Sequence, residues 1–313
     1  MSEVLAFEEP VALLEEQLAK FESQGFAHDD PVVIALKKKI DAALQALNED
    51  LKPWQKLALA RHPSRPHGKD YIEAIFDDFD PLYGDRMSGE CGSVVAGLAS
   101  FQGSSVMVLA QQKGHDLASN LSVNFGMPKP CAYRKVKRLL LLAQRFSIPI
   151  ITLLDSPGAD AGVQAEIANQ SEAIAENMLV MSELSVPIVT VVVGEAMSGG
   201  AMAMGIADRI FMLEHSVFSV ISPEGCSAIL WRDPAFAKEA ASKLGITAQD
   251  LLAYGLVDGI ISEPIGGAHR DRGLCFQLVK KAIADELITL KALHTDDLLS
   301  KRYRKWMLPS LVS

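Results

Sequence analysis

Two junctions of one physical form carry the residues best suited to chemistry in this chain. DSPGADAG (155–162) follows the apolar run IPIITLLD, GEAMSGGA (194–201) ends the apolar run VPIVTVVVGE, and a helical pattern begins soon after each. Glycine at such a junction lets the backbone approach a ligand closely, and the N–H groups at a helix start can cradle an anion. In MSGGA this predicts an oxyanion hole built from the N–H groups of Gly200 and Ala201, with the dipole of the helix AMAMGIA behind them. A tight turn that needs glycine only for strand–helix packing would carry the same letters, so both readings stand at this point. Neither stretch is GxGxxG or GxxxxGK[ST], and nucleotide-binding readings fail on those motifs.

Other reactive side chains form no familiar set. In ISPEGCSAILW (221–231), Glu224 could serve as an acid or base, but beside Ser222 it more economically satisfies N–H groups in a first helical turn. Asp155, Glu166, Glu195 and Asp208 are scattered, with the spacing of neither a glycosidase pair nor a metal cluster. The seven histidines suggest no Ser/His/Asp or Cys/His arrangement. An enzyme of this kind would borrow its general base from a cofactor, a substrate or another subunit. Cys91, Cys131, Cys226 and Cys275 include no CxxC pair, which suits reduced thiols in a cytoplasm and predicts no metal site on this chain. Basic residues gather at 129–145 and 301–305, either as a docking surface for phosphates or an acidic partner, or as the solvated side of amphipathic helices.

The elements that must position these residues change character along the chain. Residues 8–50 read as two amphipathic helices separated by QGFAHDDP, and their apolar stripe must be buried on the main domain or on a partner. Residues 53–90 break periodicity with several prolines, and FDDFD there reads as a solvated surface segment. From residue 93, short apolar β runs are joined by a turn at FQGS and then separated by helices, including one predicted at 133–146 and another at 166–184. Runs that are apolar throughout predict strands buried on both faces of a largely parallel sheet, hence an α/β fold. The expected organisation is an N-terminal helical arm (1–52), one catalytic domain (53–292) and a C-terminal helical tail (293–313).

Composition bounds the function. With 313 residues, 49% of them hydrophobic, the chain can bury a sizeable core. A formal charge of −9 argues against a surface that tracks nucleic acid throughout. The acidic N-terminus lacks the basic start of a secretory signal, and no apolar run reaches the ~18 residues of a membrane helix. The expected location is the cytoplasm.

Six motifs in order resemble one family. They are QKGHD…NFGMPKPCAYRK (112–135), DSPGADAG, NQSEAIAENM (169–178), GEAMSGGAMAMG (194–205), SVISPEGCSAILW (219–231) and EPIGGAHR (263–270), flanked by ARHPSRP and KRYRKWM. Together they resemble the α subunits of bacterial acetyl-CoA carboxylase carboxyltransferase. The resemblance implies a crotonase-like α/β superhelix that assembles as α2β2 with a β subunit, which carries the zinc absent here. It implies transfer of a carboxyl group from carboxybiotin, held on the biotin carboxyl carrier protein and charged by biotin carboxylase, to acetyl-CoA. The product is malonyl-CoA for fatty acid synthesis. By motif, Gly200 and Ala201 hold biotin's ureido oxygen, while Gly158, Gly162, Gly199, Ser222 and Gly225 contact substrate. This chain itself binds no cofactor in that scheme.

Departures from the family pattern are local. HDLASNLSV (115–123) stands where several Arg and Lys residues are usual; Asp160 and Ala161 replace a Tyr-Pro pair; Ala168 and Asn169 replace Arg-Gly; Ala196 and Met197 replace two glycines. These changes open two alternatives: a divergent duplicate that is inhibitor-insensitive or uses another acyl thioester, and a non-catalytic assembly partner.

Overall fold

The computed structural model describes residues 4–307. One sheet organises them. Its strands are β1 (Asp77–Pro81), β2 (Val94–Phe101), β3 (Ser104–Gln111), β4 (Ile150–Ser156), β5 (Ile188–Met197), β6 (Arg209–Leu213), β7 (Val217–Ser219) and β8 (Gly259–Ile261). The order is β1-β2-β3-β4-β5-β6-β8, with β7 pairing on the end of β5. β2 runs antiparallel to both its neighbours, β1 and β3, and every later strand pairing is parallel.

The period of two in the central strands sends alternate side chains into two separate cores. Ile150 and Leu154 of β4 join Ile188, Val192 and Ala196 of β5 on one face, beneath the helices Pro130–Arg145 and Ser198–Gly205. Ile151 and Leu153 join Val189, Val191 and Val193 on the other, beneath Gly68–Ile75 and Arg272–Lys291. Both strands are buried along their whole length, as continuous apolar runs in a parallel sheet require. Mid-strand, Thr152 and Thr190 are polar, and their hydroxyls satisfy each other at 2.6 Å; the other polar residues, Asp155, Ser156 and Glu195, come where the strands end.

Several expectations change. The acids of FDDFD face solvent as expected, but the segment is also a strand: Asp77–Pro81 forms the edge strand β1 on β2, where acids and a terminal proline discourage further pairing. The helix expected at 166–184 is two, Val163–Ile167 and Gln170–Glu183, broken where Asn169 adopts a left-handed φ of 62°. Asparagine tolerates that conformation, which explains how it replaces the glycine usual there. The arm consists of Glu9–Ser23 and Pro31–Glu49, and it buries its stripe on itself: Val11 packs with Leu36, Ile40 and Leu44. Arg270 then ties the arm to the body through Glu15 at 2.5 Å and Glu8 at 3.3 Å.

The basic residues at 129–145 are largely spent inside the chain. Arg134 pairs with Asp85 at 3.0 Å, buried Lys135 binds Glu90 and the Val94 carbonyl, and Arg138 donates to the carbonyls of Tyr83 and Gly84. They hold the 83–94 segment onto the helix, so these cations form no docking surface. Among the described residues, no helix is long and apolar enough to cross a membrane.

Candidate active site

The site lies where β4 and β5 end. β5 stops at Met197, and Ser198 makes the sharp entry to the following helix in a left-handed conformation, φ 56°. Such a conformation in a residue other than glycine stores strain that the surroundings must hold. Ser198 is exposed and Gly199 half-buried, so this first turn opens towards solvent while Gly200 and Ala201 lie buried behind it.

Gly200 is dictated by contact. A Cβ there would stand 2.6 Å from the Ala159 nitrogen and 2.6 Å from the Gly158 carbon, so only glycine lets the two loops touch. Gly158 is itself left-handed, at φ 136°. Its N–H donates to Ser156 Oγ at 3.1 Å, and that hydroxyl donates onward to the Gly126 carbonyl at 2.7 Å. Thus Gly158, Gly199, Gly200 and Ala201 converge from two loops.

The other expected residues are held by local capping bonds. Gly162 caps the helix Val163–Ile167 and donates its N–H to Asp160 Oδ1 at 2.8 Å. Asp160 Oδ2 also accepts from Asn124 at 3.1 Å, so this substituted residue pins its own loop. Ser222 caps the helix Pro223–Leu230, and its Oγ accepts the Gly225 N–H at 3.1 Å. Glu224 occupies the first turn, as expected, and also pairs with Arg61 at 2.7 Å.

What the sequence left unconnected, the fold joins. At the end of β4 the parallel register slips, so that Leu154 pairs with Val192 but Ser156 pairs with Ala196. Backbone pairing fails across the slip, and the Asp155 side chain replaces it by accepting the Glu195 N–H at 3.2 Å. A Cβ on Gly194 would overlap this carboxylate, which explains that glycine. Lys113 then bridges Asp155 at 2.8 Å and Glu195 at 2.7 Å, His67 Nδ1 lies 2.7 Å from the other Asp155 oxygen, and Arg61 links Glu195 to Glu224. Burial alone would discharge Asp155, yet Lys113 and His67 hold its carboxyl well below the usual range. Lys113 is likewise opposed by burial but raised by its two carboxylates. The scattered carboxylates are therefore a structural ladder beneath the site. Glu166 remains exposed outside it, and Asp208 serves the C-terminal helix.

Sequence reasoning missed His67, Arg61 and Lys113 as members of this ladder. Their signal was present in ARHPSRPHGK and QKG, where cations cluster beside glycine and proline. Arg65 of the same segment is fully buried, forked onto Glu263 at 2.9 and 2.6 Å, with Nε on the Val193 carbonyl at 2.7 Å. Glu8, His62 and His269 each bring a possible ligand atom within 4.8 Å of the others. Arg270 already pairs with Glu8 there, and Arg65 and Arg270 add positive field at His269, which opposes a cation.

This geometry brings glycine backbone from two loops together at the start of one helix. The model of the acetyl co-enzyme A carboxylase carboxyltransferase-like family matches residues 4–309. The chain belongs to this family. It is 47% identical over 309 residues to the acetyl-coenzyme A carboxylase carboxyl transferase subunit alpha of Nitrosospira multiformis, covering 97% of this chain and 95% of that one. A transcarboxylase 12S structure with methylmalonyl-coenzyme A bound superposes with TM-score 0.59 at 25% identity, over 72% of this chain and 42% of the other. A Pseudomonas malonate decarboxylase hetero-tetramer shares the fold, with TM-score 0.56 at 17% identity over 69% of this chain and 86% of that one. The α/β architecture is thus crotonase-like, and the chain is a carboxyltransferase subunit of the acetyl-CoA carboxylase type. Nothing in this carboxyltransferase favours the divergent or non-catalytic alternatives.

Proposed function

We propose that Gly200 and Ala201 present their N–H groups to the ureido oxygen of biotin during carboxyl transfer to acetyl-CoA. The observation that supports this is the contact of Gly200 with the Gly158–Ala159 backbone, which sets the helix start in one place before substrate arrives. Gly200 is the third residue of that helix, where an N–H has no intrahelical acceptor. Gly199, half-buried with the Ile174 side chain 3.4 Å from a built Cβ, forms the mouth. Carboxybiotin, when bound, supplies CO2 and leaves negative charge on the ureido oxygen. The protein's part is to hold that oxygen with preorganised donors, which act most strongly where charge develops. Gly158, Gly162, Ser222 and Gly225 shape the rim.

In this reading Asp155, Glu195 and Lys113 are locked in ion pairs and offer no free general base, so a second subunit completes the acyl side. The assembly is α2β2 with a zinc-carrying β subunit, working with a biotin carboxyl carrier protein and biotin carboxylase in the cytoplasm. The test is to mix the purified chain with a cognate β subunit and follow biotin-dependent malonyl-CoA formation or its reverse. The chain alone should be inactive and the mixture active. Ala201→Pro, which deletes one donor, should lower turnover by roughly 10²–10³. Gly200→Val provides a second probe by crowding the loop contact. Robust transfer without β, or near-normal rates in variants that fold and assemble, would overturn the assignment.

A further inference from the structure

The Gly200 carbonyl and the Ala201 N–H are the two ends of one planar peptide group. Whatever binds the first orients and polarises the second. Gln111, fully buried at the end of β3, donates from Nε2 to the Gly200 oxygen at 2.7 Å. Its own orientation is settled by a neighbour: the Asp155 N–H donates to Gln111 Oε1 at 3.0 Å, so the NH2 end must face Gly200. Tyr133, also fully buried, brings its hydroxyl to the same carbonyl oxygen at 3.4 Å. The main chain that carries Gln111 is also closely packed, since a Cβ on Gly68 would overlap its backbone carbonyl.

We propose that Gln111 is a positioning residue that, through the Gly200 carbonyl, fixes the direction and donor strength of the Ala201 N–H. The proposal rests on the oxyanion-hole reading above. Physically, a donor on the carbonyl shifts electron density along the peptide, and linked hydrogen bonds strengthen one another by roughly 10–30%. Gln111 also couples the two loop-bearing strands, because its amide spans the start of the 155–162 junction and the first turn after β5. Tyr133 is the weaker second donor by its distance.

The test uses the assembled α and β subunits and compares Gln111→Met, Gln111→Glu and Tyr133→Phe. Gln111→Met removes the donor and should lower kcat roughly 3- to 10-fold, the worth of one ordinary hydrogen bond, with KM for acetyl-CoA unchanged. Gln111→Glu keeps the acceptor for the Asp155 N–H and donates only when protonated. Asp155, Lys113, His67 and Tyr133 are the titratable groups around this position, and all are present in the parent as well. The rate of Gln111→Glu relative to the parent should therefore fall as pH rises from 6 to 9, while that of Gln111→Met stays flat. A merely structural role would not produce that divergence. Parent-like kcat in folded Gln111→Met, or parallel pH profiles for the two variants, would overturn the proposal. If Ala201→Pro is also silent, the hole itself is misplaced; if Ala201→Pro is inactive and the Gln111 variants are silent, only this inference fails.

Discussion

Arg302 lies buried against the sheet with its guanidinium forked onto Asp208, Nε to Oδ1 at 2.8 Å and Nη2 to Oδ2 at 2.8 Å. The remaining donors reach the carbonyls of Met181, Leu184 and Val186 at 2.6–2.9 Å. One side chain therefore joins the C-terminal helix Thr295–Met307 to the end of Gln170–Glu183 and to the start of β5 and β6. The basic cluster expected to face solvent at 301–305 is, at Arg302, an internal bolt.

Removing one partner strands the other charge in the core, so Arg302→Met should destabilise the chain by about 3–5 kcal/mol. Asp208→Asn should do less harm, because the guanidinium keeps its three carbonyls. Urea denaturation of each variant checks this ordering. Equal and small effects would show that the fork contributes little.

Lys113→Met should leave two carboxylates, Asp155 and Glu195, facing each other without the lysine that bridges them, with His67 and Arg61 remaining only on their outer oxygens. In the parent, a depressed Asp155 pKa contributes stability that is complete above the ordinary carboxylate range and lost as pH falls through the folded value. In the variant the sign reverses, because the folded state gains by keeping a proton between the carboxylates. Urea midpoints should then fall with rising pH between 5 and 8 in Lys113→Met and not in the parent. A parallel dependence would refute the clamp.

His269 stacks on His62 at a centroid distance of 3.9 Å, and burial, with His62, Arg270 and Arg65, lowers its pKa from 6.5 to about 3. Between those values the unfolded chain binds a proton that the folded chain refuses. Stability from this group is thus complete above pH 6.5 and declines as pH drops towards 3. Comparing unfolding free energies at pH 7.5 and 5.5, His269→Gln should show a shallower acid loss than the parent. An identical slope would place the acid sensitivity elsewhere.

Much of this protein is legible in order along the chain. Apolar runs over 148–155 and 187–195 predict buried parallel strands because burial on both faces admits no alternation. Glycine at 158 and 200 marks a close backbone approach between two loops, since a side chain there has a local steric meaning. The arm follows from its helical period, and the six ordered motifs carry the family.

Tertiary structure alone decided which distant residues meet. Asp155 and Glu195 are 40 residues apart, and only the side-by-side ends of two parallel strands bring them to one lysine just beyond the end of β3. FDDFD becomes a strand because β2 offers it an open edge, which outweighs its acidic, turn-like composition. Arg134, Lys135 and Arg138 look solvated in a helical projection, yet the fold lays the 83–94 segment across them. Periodicity and local sterics act over a few residues and can be read in sequence. The partner of a charge depends on where separate elements pack, and that is settled by the burial of the whole core.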